Sequence, residues 1–125
     1  MTTPCTVLIV DDAPANVALL EHLLRVNGYE VRSAADAEDA LSSIAQSKPR
    51  LILTDIQLPG VSGLELARRL KSNASTADIR IIAVSAFAMA TDERRALEAG
   101  CDGFIAKPID TRKFPSLVAA IVDRN

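Results

Sequence analysis

The sequence has 125 residues and a formal net charge of -2, and 49% of its residues are hydrophobic while 24% are charged. A chain of this size and composition is typical of one globular domain with an aliphatic core, so we expect residues 1–125 to form a single domain. The 14 basic and 16 acidic residues are mixed along the chain, which argues against nucleic acid or a membrane surface as a partner.

Apolar runs and helical patterns alternate along the chain. In chain order they predict strand Thr6–Val10, helix Pro14–Asn27, strand Tyr29–Ala34, helix Asp36–Gln46, strand Leu51–Thr54, helix Ser62–Lys71, strand Ile79–Ser85, helix Thr91–Ala99, strand Gly103–Ala106 and helix Asp110–Asp123. The first, third and fourth strands are continuously apolar, as strands buried on both faces of a parallel sheet are, whereas the second alternates as an edge strand does. Five β-then-α units predict a doubly wound α/β fold, in which a five-stranded parallel sheet carries helices on both faces.

The helix ends carry local signals of their own. Asp36, Ser62 and Thr91 stand where a side-chain oxygen accepts a hydrogen bond from the first turn, and each is predicted to be an N-cap. Gly28 and Gly100 follow the first and fourth helices, where the chain needs a residue that tolerates the left-handed conformation.

The two cysteines and the N-terminus argue for a cytoplasmic protein. Cys5 and Cys101 fit neither a zinc pattern nor C-x-x-C, so we expect reduced thiols. The apolar run near the N-terminus is too short for a signal peptide, and no window approaches the ~18 apolar residues of a membrane span.

Polar side chains stand at the carboxyl ends of four predicted strands. They are Asp11 and Asp12 after the first, Asp55 after the third, Ser85 at the end of the fourth and Lys107 after the fifth. In doubly wound sheets these ends form the ligand crevice, so the five groups are predicted to converge. Three clustered carboxylates repel one another unless a cation joins them, and a hard oxygen site of this kind suits Mg²⁺.

The converging groups favour phosphoryl transfer over other chemistries. No glycine-rich loop is present to bind a nucleotide, and the single histidine, His22, lies mid-helix, far in sequence from the strand ends. A carboxylate beside a metal, a lysine and a hydroxyl can attack phosphorus, so Asp55 is the predicted nucleophile, with Lys107 and Mg²⁺ neutralising charge and Ser85 bonding an oxygen.

The motifs VLIVDD, DIQLPGVSGLE, AVSAFAM and FIAKPI, in this order and on alternate βα units, resemble those of response-regulator receiver domains of two-component signalling. The resemblance runs from about Val7 to Val122 and implies the CheY-like strand order 2-1-3-4-5. In finer detail, GLELARRL and AGCDGFIAKPI look most like DivK-type single-domain regulators, although receivers of hybrid histidine kinases carry similar blocks.

The resemblance implies a role for each acidic residue. Asp55 matches the phosphoacceptor, and Asp12 and Asp55 match the side-chain ligands of Mg²⁺, with the backbone carbonyl of Gln57 as a further ligand. Asp11 matches an acidic partner in the outer coordination sphere. For Asp11 and Asp12, capping of the helix that begins at Pro14 is an alternative or additional role.

The resemblance also implies a switch. Lys107 matches the lysine that contacts the phosphoryl group, and the Lys107-Pro108 bond is expected to be cis. Ser85 matches the hydroxyl that moves to bond the phosphoryl group. Phe104 stands where the family has an aromatic residue, commonly tyrosine, that alternates between exposed and buried positions. Core packing remains an alternative for Phe104, and for Phe87 with residues 88–90.

The expected function is that of a phosphorylation switch. The phosphodonor would be a histidine kinase or a phosphotransfer protein, and a downstream protein would read the fourth-helix, fifth-strand, fifth-helix face of a monomer or weak dimer. We expect no enzyme activity beyond catalysis of the chain's own phosphorylation and dephosphorylation. Two alternatives are a receiver module excised from a hybrid histidine kinase and a Mg²⁺-dependent phosphohydrolase, for which Gln57 replaces the usual second carboxylate.

Overall fold

The computed structural model describes residues 5–86 and 90–123, in which five strands and five helices alternate. The strands are β1 (Thr6–Val10), β2 (Glu30–Ala34), β3 (Leu51–Asp55), β4 (Arg80–Ser85) and β5 (Gly103–Ala106). The helices are α1 (Pro14–Val26), α2 (Ala37–Gln46), α3 (Gly63–Lys71), α4 (Ala90–Glu98) and α5 (Phe114–Val122).

The strands form one parallel sheet in the order β2-β1-β3-β4-β5. The order reverses direction between β1 and β3, so the switch point of the doubly wound fold lies between these two strands. The predicted fold class and strand order are confirmed, and β2 is an edge strand as its alternating pattern indicated.

The core consists of two apolar layers, one on each face of the sheet. Leu8 and Ile52 contribute to the layer that includes side chains of α2, α3 and α4, while Val7 and Leu53 contribute to the layer that includes side chains of α1 and α5. Successive residues of a strand point to opposite faces, so a strand covered on both sides must be apolar at every position. This explains the unbroken apolar runs of the sequence.

Most predicted helix ends are confirmed. The side chain of Asp36 accepts a hydrogen bond from the backbone N–H of Asp39, and that of Ser62 accepts one from Glu65, so both residues are N-caps. Gly100 has a φ of +97°, in the left-handed region that ends a helix at low cost only for glycine.

Two helix starts differ from the prediction. Helix α4 already includes Ala90, so Thr91 lies inside the helix and is not its N-cap. Helix α5 begins at Phe114 rather than Asp110, and residues 111–113 form a turn in which the Asp110 carboxylate accepts hydrogen bonds from the N–H groups of Arg112 and Lys113. Phe87 lies outside the described residues.

Two expectations about the whole chain also bear comparison with the structure. Cys5 and Cys101 are free thiols, and Cys101 is buried. Among the helices of the described ranges, none combines the length and apolar character that crossing a membrane requires.

Candidate functional site

Three carboxylates meet at the carboxyl edge of the sheet, where β1 and β3 lie side by side. One oxygen from each of Asp11, Asp12 and Asp55 lies within 4.8 Å of the others. Asp11 is buried, Asp55 is half-buried and Asp12 is exposed, so the cluster opens to solvent on the Asp12 side. We call these three residues the acidic cluster.

Asp55 belongs to the sheet itself. It is the last residue of β3 and pairs with Val84 of β4, whereas the sequence placed it just beyond the strand. Its Oδ1 accepts a hydrogen bond from the backbone N–H of Gln57 at 3.0 Å. The carboxylate is therefore fixed at its backbone by the sheet and at one oxygen by the turn that follows.

Lys107, the residue directly after β5, contacts two carboxylates of the acidic cluster. Its Nζ lies 3.0 Å from Oδ2 of Asp55 and 3.4 Å from Oδ2 of Asp11. Its backbone N–H donates to the carbonyl of Ser85 at 2.8 Å, and the Lys107-Pro108 peptide is cis, as expected. The predicted convergence of strand-end groups is thus present for the three carboxylates of the acidic cluster and for Lys107.

Two neighbouring carboxylates stabilise the charged form of Lys107. Burial on its own would lower the pKa of Lys107, but the hydrogen bond to Asp55 and the negative charges of Asp55 and Asp11 outweigh burial, and the net pKa is raised. Lys107 is therefore an ammonium ion at neutral pH, and it offsets part of the negative charge of the acidic cluster.

Neither Asp11 nor Asp12 is the N-cap of α1, so this alternative prediction is wrong. The N-cap of α1 is Ala13, which makes no side-chain capping bond. Asp11 Oδ1 instead accepts a hydrogen bond from the Ala13 N–H at 2.9 Å, while its Oδ2 faces Lys107. Asp11 thus fixes the turn into α1 and the position of Lys107 together.

Ser85, Phe104 and Gln57 lie at or near the same edge. Ser85 is the last residue of β4, is only 2% exposed and pairs with Ala106 of β5. Phe104 is half-buried in β5 and packs against the core layer on the α4 side. The side chain of Gln57 is exposed. Their placement is compatible with the predicted roles, which stay predictions.

A close contact of α3 with the backbone of Asp55 was not predicted from the sequence. A Cβ added to Gly63, the first residue of α3, would lie 2.0 Å from the carbonyl oxygen of Asp55. Only glycine allows the start of α3 to approach the end of β3 this closely. A glycine placed directly after the helix cap Ser62 is the signal that could have revealed the contact.

The donor set of the acidic cluster fits Mg²⁺. Mg²⁺ prefers oxygen ligands, is bound in proteins by one or two carboxylates, and keeps several waters. The cluster supplies three carboxylates and opens to solvent at Asp12, where retained waters have room. Thiolate and imidazole ligands, which softer metals prefer, are absent from the cluster.

Comparison with known proteins identifies the class to which this fold and site belong. The family model for the response regulator receiver domain matches residues 7–119. The chain therefore belongs to the response regulator receiver domain family and is a receiver domain of two-component signalling.

Individual relatives sharpen this assignment. The polar-differentiation response regulator DivK of Brucella anthropi is 42% identical over 111 residues, which cover 89% of this chain and 90% of DivK. A chain of Chloroflexus aurantiacus described as a response regulator matches with a TM-score of 0.94 and 34% identity, covering 98% of this chain and 100% of that one. The receiver domain of the Pseudomonas aeruginosa sensor histidine kinase PA1611 matches with a TM-score of 0.88 and 28% identity, over 98% of this chain and all of the other. That structure holds a magnesium ion coordinated in its active site cleft.

Proposed function

We propose that this chain accepts a phosphoryl group on Asp55 and works as a DivK-like phosphorylation switch. The observation that carries the proposal is the contact between Lys107 Nζ and Asp55 Oδ2 within a cluster of three carboxylates. An ion pair made only for stability does not need two further acids beside it, because their repulsion opposes folding. Family membership and the relation to DivK support the same conclusion.

The reaction would transfer the phosphoryl group from a phosphohistidine of a histidine kinase or phosphotransfer protein. An oxygen of Asp55 forms the new P–O bond while the P–N bond to imidazole breaks, and the bonding electron pair leaves with the imidazole nitrogen. Lys107, an ammonium ion beside Asp55, stabilises the negative charge of the transferred group. The chain would thereby catalyse its own phosphorylation, and with water as acceptor its own dephosphorylation.

A bound Mg²⁺ would neutralise charge on the phosphoryl oxygens and orient them for in-line attack. Asp12 and Asp55 would be its side-chain ligands and the backbone carbonyl of Gln57 a further one, with Asp11 just outside the ligand set. Asp11 suits this place because it is the buried member of the cluster, whereas the cluster opens to solvent at Asp12. The magnesium ion in the PA1611 receiver domain supports this choice of metal.

Ser85 and Phe104 would convert phosphorylation into a change of surface. Ser85 stands at the end of β4, next to the strand that carries Asp55, where its hydroxyl can bond a phosphoryl oxygen. Phe104 lies in the neighbouring strand β5, half-buried, and a shift towards burial would alter the surface formed by α4, β5 and α5. A downstream protein would read this surface.

The proposal is tested by mass spectrometry of the intact protein after incubation with Mg²⁺ and acetyl phosphate. We expect the wild type to gain one phosphoryl group, Asp55→Asn to gain none, and Asp39→Asn, which changes an exposed acid outside the cluster, to behave as wild type. Omission of Mg²⁺ should abolish the gain. Labelling that persists in Asp55→Asn would refute the proposal, and sustained release of phosphate from small phosphoesters would favour a phosphohydrolase instead.

A further inference from the structure

A buried hydroxyl in β3 has no part in the chemistry described so far. Thr54 is completely buried, at 0% exposure, and stands in the sheet between Val10 of β1 and Ala83 of β4. The three residues before it in β3 are all aliphatic. A hydroxyl in such surroundings lowers stability unless it forms a hydrogen bond, so its partner indicates its role.

That partner is the main-chain carbonyl of the proposed phosphoacceptor. The Thr54 hydroxyl donates to the carbonyl oxygen of Asp55 at 3.1 Å. A Cβ on Gly63 would lie 2.9 Å from Thr54 Oγ1 and 2.0 Å from the same carbonyl oxygen. The hydroxyl, the carbonyl and the start of α3 are therefore in close contact directly beneath the acidic cluster.

The hydrogen bond from Thr54 is one of four that fix the two peptide units between Asp55 and Gln57. The N–H of Ile56, in the same peptide unit as the Asp55 carbonyl, donates to Val84 of β4 at 3.1 Å. The carbonyl of Ile56 accepts from the Gly63 N–H at 2.9 Å, and the Gln57 N–H donates to Asp55 Oδ1 at 3.0 Å. Thr54, a buried side chain, contacts the carbonyl side of the first of these peptide units.

We propose that Thr54 is a positioning residue for the cation site. Its hydroxyl fixes the tilt of the peptide between Asp55 and Ile56, and through it the directions of the Asp55 carboxylate and the Gln57 carbonyl. This proposal rests on the proposed function, because it takes Asp55 and Gln57 as ligands of the divalent cation. It assigns a role to a residue that does not itself touch the cation or the phosphoryl group.

Substitution by valine separates positioning from stability. Valine has nearly the shape of threonine, favours β-strands and carries no donor, so Thr54→Val keeps the core filled and removes only the bond to the Asp55 carbonyl. Thr54→Ser keeps the hydroxyl and tests for rescue. Thr6→Val is the matched control, because Thr6 begins β1 at the opposite end of the sheet.

Three measurements on these variants test the proposal: Mg²⁺ affinity by calorimetry, amide exchange at Ile56 and Gln57 by NMR, and unfolding in urea. For Thr54→Val we expect Mg²⁺ to bind about threefold to tenfold more weakly, the effect of one lost hydrogen bond. Amide exchange at Gln57 should be faster, and the urea midpoint should fall slightly, because the Asp55 carbonyl loses a donor while the core stays filled. Thr54→Ser should recover the affinity, and Thr6→Val should leave both readouts unchanged.

Three other outcomes of these measurements would each lead to a different conclusion. Mg²⁺ affinity and Gln57 exchange within about twofold of wild type in Thr54→Val would overturn the proposal, whatever the change in stability. A large loss of stability with unchanged affinity of the folded protein would give the hydroxyl a structural role only. Failure of the wild type itself to bind Mg²⁺ would instead refute the proposed function, and the exchange data would still decide whether Thr54 fixes the segment.

Discussion

The ammonium group of Lys71 lies 3.1 Å from a carboxylate oxygen of Asp102, at the end of the sheet opposite the acidic cluster. The same Nζ donates to the backbone carbonyls of Ala77 and Ile79, and the same Asp102 oxygen accepts the N–H of Ile81. Lys71 thus ties the end of α3 to the entrance of β4 and to the turn that precedes β5.

Replacement of Lys71 by methionine should destabilise the protein by about 2 kcal/mol. The side chains of Lys71 and Asp102 are 18% and 16% exposed, so the change takes a cation from a poorly solvated carboxylate and one donor from each of two carbonyls. The Ile81 N–H still donates to that carboxylate, which limits the loss. Unfolding in urea, followed by circular dichroism, measures the difference.

Lys48→Met is the matched control for this prediction. Lys48 and Asp78 form a pair at 2.9 Å, but their side chains are 45% and 71% exposed, so solvent replaces most of what is lost. We expect a clearly smaller effect than in Lys71→Met. Equal losses in the two variants would show that burial does not determine the strength of these pairs.

Gly63→Ala should destabilise the fold and disturb the acidic cluster together. The new Cβ would lie 2.0 Å from the Asp55 carbonyl oxygen, so α3 or the end of β3 must move, at a cost of about 3 kcal/mol or more. Gly60→Ala is the comparison, because a Cβ there meets nothing within 4 Å and only the φ of +78° opposes it, at about 1 to 2 kcal/mol. Mg²⁺ titration of both variants should show weaker binding in Gly63→Ala alone. A Gly63→Ala protein as stable as Gly60→Ala would contradict the prediction.

Asp12→Asn should make the metal-free protein more stable. Three carboxylates share the acidic cluster with one ammonium group, so removal of a charge relieves repulsion, and the effect should grow as the salt concentration is lowered. We expect the thermal midpoint to rise by about 2 °C without Mg²⁺. Addition of Mg²⁺ should raise the midpoint of the wild type and leave that of Asp12→Asn nearly unchanged, because a ligand stabilises only the state that binds it. Equal stabilisation of both proteins by Mg²⁺ would exclude Asp12 as a ligand.

Alkaline pH should destabilise the protein in part through Cys101. Burial, with a smaller effect from the charge of Asp102, raises the pKa of the Cys101 thiol from 9.0 to about 11. The folded state therefore keeps its proton to higher pH than the unfolded chain, and the stability it contributes is lost as the pH rises from about 9 to about 11. The slope of unfolding free energy against pH should be shallower in Cys101→Ala by at most about 1.4 kcal/mol per pH unit. Equal slopes in the wild type and Cys101→Ala would mean that the thiol does not contribute to the pH dependence of stability.

The sequence was sufficient to predict the parallel sheet and the meeting of three carboxylates and Lys107 at one edge of it. Continuous apolar runs indicate doubly covered parallel strands, and parallel strands bring their carboxyl ends to one edge. For this reason Asp11, Asp55 and Lys107 could be placed together although they are far apart in the chain. The strand order itself came from the family resemblance, because periodicity does not distinguish between orders of parallel strands.

Local hydrogen bonds account for what the sequence did not predict. Before α5 the Asp110 carboxylate accepts hydrogen bonds from the N–H groups of Arg112 and Lys113 in a turn, and the helical pattern of the sequence did not separate this turn from the helix. The turn into α1 depends on Asp11, which bonds Ala13 instead of serving as a conventional cap. The contacts of Thr54 and Gly63 with the Asp55 carbonyl depend on how closely α3 approaches β3, and no periodic pattern encodes that distance.

The acidic cluster and its lysine come from three segments that are remote in the chain. Lys107 is 52 residues from Asp55 and 96 residues from Asp11, and it directly follows β5, an edge strand of the sheet. A chain that lacked the last strand and the residues after it would therefore carry Asp55, the proposed phosphoacceptor, but not the cation beside it. Under the proposed function, phosphorylation of Asp55 would then require the C-terminal part of the fold as well as the strand that carries the acid.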